Sequence, residues 1–121
     1  RTNREPRGCP HCTTNGYSKA QIKWLTEIET AEGIYIQHAC KPEGEHKIPT
    51  IGKVDGWCQA TNTVYELHGD FWHGNPTKYS PDDINPINKK RYGDLYDATI
   101  KRDADIRALG YNLVTKWESE L

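Results

Sequence analysis

Val54-Asp55-Gly56-Trp57-Cys58, the polar tetrad Gln59-Ala60-Thr61-Asn62, and Thr63-Val64-Tyr65-Glu66-Leu67-His68 follow one another in the middle of the chain. Two short runs rich in β-branched and aromatic residues around a polar tetrad have the pattern of an antiparallel hairpin. A tight turn centred on Ala60 and Thr61 sets Asp55 across from Glu66 or Leu67. Alternation then sends Val64, Glu66 and His68 to one face of the sheet and Tyr65 and Leu67 to the other. Two carboxylates and a histidine come within cross-strand reach of one another. Their mutual repulsion is relieved by a cation, and oxygen donors of this kind suit Mg2+ or Mn2+ better than zinc. A Glu and a His on one face of a strand are also simply what a solvated sheet face carries. The continuation Gly69-Asp70-Phe71-Trp72-His73-Gly74 weighs against that plainer reading. It sets two large aromatics in a glycine-flanked, loop-like segment, where an exposed apolar pair is costly unless it packs or meets a ligand. A divalent cation held against a phosphodiester is the chemistry such a cluster serves first.

Working outward, residues 18–31 predict an amphipathic helix, with Ser18 as N-cap, Ile22, Trp24, Leu25 and Ile28 as its apolar stripe, and Gly33 as its stop. Glu29 falls at the edge of the buried face, with Glu27 close by. Residues 88–109 predict a second helix, with Tyr92, Leu95, Tyr96, Ile100 and Ile106 among its apolar positions and Gly110 as its C-terminal signal. Residues 111–117 read as a strand. This order gives an α/β fold with a mixed central sheet flanked by helices. Pro76, Pro81 and Pro86 make 72–86 a loop. Asp103 sits in the run Lys101-Arg102-Asp103-Ala104-Asp105, whose plain reading is a surface charge. Lys89-Lys90-Arg91 and Lys101-Arg102 are candidate phosphate contacts on one side of the second helix, although charge runs commonly mark a solvated face.

The chain has 121 residues, 35% of them hydrophobic, which is enough for one core without staples. Sixteen basic and seventeen acidic residues leave a net charge of −1. Double-stranded DNA binding by such a chain alone has little electrostatic support, so affinity and target choice are expected in a separate recognition region outside it. Neither a signal peptide nor an apolar run of membrane-crossing length is present in the sequence, which suggests an intracellular protein with no membrane partner. Residues 1–17 read as an N-terminal extension, and residues 18–121 as the catalytic domain. Cys9-Pro10-His11-Cys12 is half of a zinc knuckle whose partner pair would come from upstream, with His11 or His38 as weaker partners for Zn2+. Cys40 and Cys58 are expected to be buried, inert thiols. Cys9-Pro10-His11-Cys12 also has the form of a thiol oxidoreductase motif, but such a motif follows a buried strand and opens a helix, and residues 1–8 cannot be that strand.

Asp55, the string formed by His68, Gly69, Phe71, Trp72 and His73, and the later Lys101-Arg102-Asp103, Leu109-Gly110-Tyr111 and Trp117-Glu118 resemble the very-short-patch repair endonucleases, a branch of the PD-(D/E)xK nuclease superfamily. The motif order is similar to that of the EDxHD homing endonucleases encoded in phage introns. The resemblance covers roughly residues 18–118 and is more specific than any one of its pieces. It implies a restriction-endonuclease-like core and Mg2+-dependent hydrolysis of DNA. It also implies Asp55 as the main metal ligand, the Leu67 backbone carbonyl as a second, His68 and His73 as the active-site histidines, and Asp103 as the group that orients one of them. Glu66-Leu67-His68 has the (D/E)xK form with His in place of Lys, which makes Glu66 a further candidate ligand, although the repair enzymes carry an apolar residue there. Glu29 matches the family's helical glutamate, with Glu27 and Glu45 as alternatives. Phe71 and Trp72 match aromatics that the repair enzymes wedge into the base stack. Those enzymes also carry a structural zinc, and here Asp70 and Ser119 stand in place of two of its cysteines, so that zinc is not carried over.

On this footing the expected function is the cleavage domain of a homing endonuclease, residing in the cytoplasm of a bacterial host if phage-encoded, with a homodimer as one arrangement. The rivals are a mismatch-type repair nicking enzyme and a nuclease-fold module that only binds DNA. The cation would activate water and screen developing charge. A histidine, with an ordinary pKa of about 6.5, would handle the proton, its tautomer fixed and its basicity raised by a hydrogen bond to Asp103. By analogy with the family His73 is the favoured general base, with His68 stabilising the transition state, and the two roles stay open to exchange.

Overall fold

A computed structural model describes residues 19–121, which fall into two compact units, 19–66 and 67–121. The Ser18 cap and the Cys9 and Cys12 pair lie outside the described residues. Both units together give a mixed α/β protein, with a small two-stranded sheet and a mixed three-stranded one.

In the first unit, α1 runs Lys19–Glu32 through a stretch free of glycine and proline and ends where Gly33 turns to φ 64°. Its buried residues are Gln21, Trp24 and Leu25. Ile22 and Ile28 are only half-buried, so the stripe is narrower than the hydropathy pattern suggests. An unanticipated hairpin follows, β1 Lys47–Ile48 against β2 Gly52–Lys53, and it drops Ile48 into the core. β3 covers only Gly56–Cys58, because Asp55 forms a bend and the Val54 N–H goes to the His46 carbonyl. β4 is Thr63–His68, antiparallel to β3, with Gly56 paired to Tyr65 and Cys58 to Thr63. Asn62, at φ 53°, closes the expected turn. Gly56 is needed for packing: a Cβ there would meet Leu25 Cδ2 at 2.8 Å, Ile36 Cγ2 at 3.0 Å and the Tyr65 Cβ at 3.1 Å. Trp24 packs edge-on against Tyr65, 6.2 Å between ring centroids.

The second unit departs further from expectation. The segment after Gly69 is not all loop: Asp70–His73 forms a one-turn helix, α2, capped by Gly74 in the left-handed region. α3 is Tyr92–Ala108, four residues shorter at its start than predicted. The side-chain oxygen of Asn85 accepts the N–H groups of Ile87 and Asn88, and Lys89 adopts φ 67°, so the chain is held in turns until Arg91. Lys89 and Lys90 therefore precede the helix instead of lying along it. Gly110, at φ 98°, follows the helix end as predicted. β5 is Asn112–Trp117, and the strand order of the larger sheet is β3-β4-β5. The long crossover through α3 is the connection a parallel strand requires.

Of the two cysteines expected to be inert thiols, Cys58 is buried and free. Cys40 is disulfide-bonded instead, contrary to what its sequence context suggested. No helix among the described residues is long and apolar enough to cross a membrane.

Candidate active site

On the first unit the hairpin sets residue 55 opposite residue 66, as its register requires. The Asp55 N–H donates to Glu66 Oε2 at 2.9 Å, so residue 55 faces residue 66 across the ladder. Glu66 is 5% exposed and His68 4%, which removes the solvated-face reading for both. Glu45 is part of this acidic neighbourhood. Burial pushes its carboxyl up, Lys53 opposes the shift, and the Glu66 charge adds to it.

The two helical acids separate. Glu29 Oε2 accepts the Ile36 N–H at 2.6 Å and pairs with Lys41 at 2.8 Å, bracing the end of α1 to the segment that follows it. Glu27 is a surface charge within 3.8 Å of Lys23. Among the described residues no group of three or more His, Cys, Asp or Glu side chains is gathered closely enough to hold a metal by itself.

On the second unit two imidazoles are held by one helix. α3 buries Tyr92, Thr99, Asp103 and Ile106, so its inward stripe carries two polar residues one turn apart. Asp103, 6% exposed, is not the surface charge its neighbours in sequence suggest. Its Oδ2 lies 3.4 Å from His68 Nε2, and its Oδ1 is buried without a hydrogen-bond partner. His73 Nδ1 lies 2.9 Å from Thr99 Oγ1. The two imidazole centroids are 5.0 Å apart, and Trp117 stands 5.4 Å from His68.

Asp103 thus serves His68, and His73 has a threonine partner instead. His73 lacks the basicity that a carboxylate partner would give it: its pKa falls from 6.5 to about 4, first because burial penalises the charged ring, then because His68 and Arg102 repel it, with Asp103 opposing. Protonation of His73 is therefore disfavoured in the folded state. Stability should be full above pH 6.5 and decline as the pH falls toward about 4, because the unfolded chain binds the proton more readily. Discounted for the solvent that still reaches the ring, the loss is about 1–2 kcal/mol. Thermal melts across this range should show that slope in the native chain and a shallower one in His73→Gln; equal slopes would disprove the assignment.

The remaining candidates are dispersed. Phe71 packs edge-on against Trp72, Tyr79 and Tyr92, whereas Trp72 leaves 51% of its surface exposed. Asp70 Oδ1 accepts from Asn75 Nδ2 at 2.6 Å and from Ser119 Oγ at 3.0 Å, tying α2 to the segment after β5. Arg91 is engaged by Asp82 at 3.1 Å and by Asp94 at 3.0 Å. Lys101 pairs with Asp105, while Lys89 and Lys90 are exposed and Arg102 is half-buried. Thr99 is the residue that sequence reasoning missed; its spacing of four from Asp103 on a helix was the available signal.

The sequence matches no family model, and no curated protein is detectably similar to it.

Proposed function

We propose that the chain is a metal-dependent endodeoxyribonuclease, the cleavage domain of a homing endonuclease, with its mixed sheet and helices serving as a PD-(D/E)xK core. The observation that carries this reading is the pair of imidazoles on the second unit, His68 buried and His73 half-buried, each held by a polar residue from the inward face of α3. Burying His68 beside a carboxylate and half-burying His73 against it is expensive for a scaffold with only packing to achieve, and a perturbed group such as His73 is typical of functional sites. The resemblance to the very-short-patch repair and EDxHD enzymes names the same residues, His68, His73 and Asp103, together with Asp55.

Oxygen donors from Asp55, Glu66 and the Leu67 carbonyl would hold Mg2+ or Mn2+. A small protein donor set fits Mg2+, which keeps several waters and relies on one or two carboxylates plus substrate phosphate oxygens. When bound, the ion supplies water activation and charge screening at the phosphate. The protein's own part is proton handling and placement. His73, neutral at physiological pH, accepts the proton of the attacking water, and His68, oriented by Asp103, stabilises the developing charge. The exposed indole of Trp72 is available to stack on a base, whereas Phe71 supports it from the packed side. Lys89 and Lys90, both exposed, are the basic groups proposed to meet phosphates, since the two aspartates beside Arg91 already offset its charge.

Incubating the purified chain with supercoiled plasmid in Mg2+, in Mn2+ and in EDTA tests the proposal. Conversion to nicked or linear DNA in either metal, abolished by EDTA, is the expected result. DNA binding without cleavage in both metals would replace the enzyme with a nuclease-fold binding module. Neither binding nor cleavage would end the nucleic-acid reading.

A further inference from the structure

Thr99 Oγ1 sits between two polar atoms: 3.0 Å from the Leu95 carbonyl, one turn back along α3, and 2.9 Å from His73 Nδ1. A threonine hydroxyl has one hydrogen and two lone pairs, and a backbone carbonyl can only accept. The bond to Leu95 therefore consumes the hydrogen, in the ordinary back-bonding geometry of a helical threonine. What remains to face the imidazole is a lone pair. We propose that Thr99 is a positioning residue that fixes His73 as the Nδ1–H tautomer, anchoring Nδ1 to α3 and leaving Nε2 as the bare, proton-accepting nitrogen.

The assignment gives the two histidines opposite attachments. His68 meets α3 through Nε2, at Asp103, whereas His73 meets it through Nδ1. A carboxylate partner would hold a charged ring, but a hydroxyl acceptor orients a neutral one without adding charge. The groups around His73 agree with a neutral ring, since His68 from β4 and Arg102 from α3 disfavour its protonation and Asp103 only partly opposes them. In a neutral ring the nitrogen opposite the N–H is the basic one. The use of Nε2 as the catalytic proton acceptor rests on the nuclease reading above; the tautomer itself does not.

Imidazole nitrogen NMR of the labelled 121-residue chain at neutral pH reads the tautomer directly. The wild-type His73 should show a protonated Nδ1 and an unprotonated Nε2. Thr99→Val, which keeps the shape and removes the acceptor, should move the ring toward the Nε2–H form, and Thr99→Ser should retain the wild-type pattern. In the cleavage assay Thr99→Val should lower kcat by about tenfold at unchanged KM, with Thr99→Ser close to wild type. An Nε2–H ring in the wild type overturns the proposal, and so does a tautomer indifferent to Thr99→Val. The wild-type spectrum decides even if the valine variant does not fold. If the tautomer follows the hydroxyl while wild-type DNA stays intact, the nuclease reading falls and the assignment of Thr99 stands.

Discussion

Asp55→Ala is expected to reduce Mg2+-dependent cleavage by at least about a thousandfold, equivalent to roughly 4 kcal/mol of transition-state stabilisation, while leaving the fold intact. The two halves of that expectation have separate causes. Activity falls because, in the proposed site, this carboxylate is the main protein ligand for the ion, and phosphodiester hydrolysis depends chiefly on charge stabilisation at the phosphate. The fold survives because the bond from residue 55 to Glu66 is donated by its backbone N–H, which alanine keeps. Glu66→Ala makes the contrasting control, because it deletes the buried acceptor of that N–H, at a cost of about 1–3 kcal/mol. Parallel melting curves and plasmid nicking separate the two effects. Cleavage by Asp55→Ala within about tenfold of wild type would remove Asp55 from the site. A melting loss equal to that of Glu66→Ala would show that the residue braces the hairpin instead.

Where local chemistry decides the structure, the sequence was legible. The Gln59–Asn62 tetrad between two β-rich runs set the hairpin register, and with it the pairing of Asp55 and Glu66. Gly33 and Gly110 closed their helices because each takes a positive φ that other residues avoid. The start of α3 was not legible, since residues 88–91 have acceptable helix propensity and the Asn85 side chain, which captures the N–H groups of Ile87 and Asn88, acts from outside the segment. Hydropathy also drew the apolar stripe of α3 through Ile100, which is exposed, and missed Thr99 and Asp103, which are buried. A helix that buries polar groups for a purpose hides that purpose from any scale that expects apolar residues inside. Asp103 was recovered through the family motif alone. The motif leaves open which histidine Asp103 orients, and only the folded arrangement gives His68 to Asp103 and His73 to Thr99.

Gly74→Ala is expected to be the most damaging small substitution in the second unit, destabilising it by about 4 kcal/mol and abolishing cleavage with it. Two costs act at one position. Gly74 caps α2 at φ 66°, where an L-residue is strained by about 1–2 kcal/mol. A Cβ there would also run into the Tyr92 carbonyl oxygen and come within 3.2 Å of the Tyr96 N, both on the first turns of α3. Backbone atoms of a helix cannot swing aside as a side-chain end can, so overpacking adds about 1–3 kcal/mol. Relief requires α2 to move relative to α3, and His73, the residue before Gly74, is the one held to Thr99 across that contact. Gly110→Ala isolates the conformational part, since Gly110 has φ 98° but a Cβ there would meet nothing within 4 Å. That variant should lose only about 1–2 kcal/mol and keep its nuclease activity. Denaturant titration and nicking assays on both variants give the comparison. Equal destabilisation by the two would mean that the left-handed backbone alone matters at residue 74, and the close approach of α2 to α3 would no longer explain how His73 is placed.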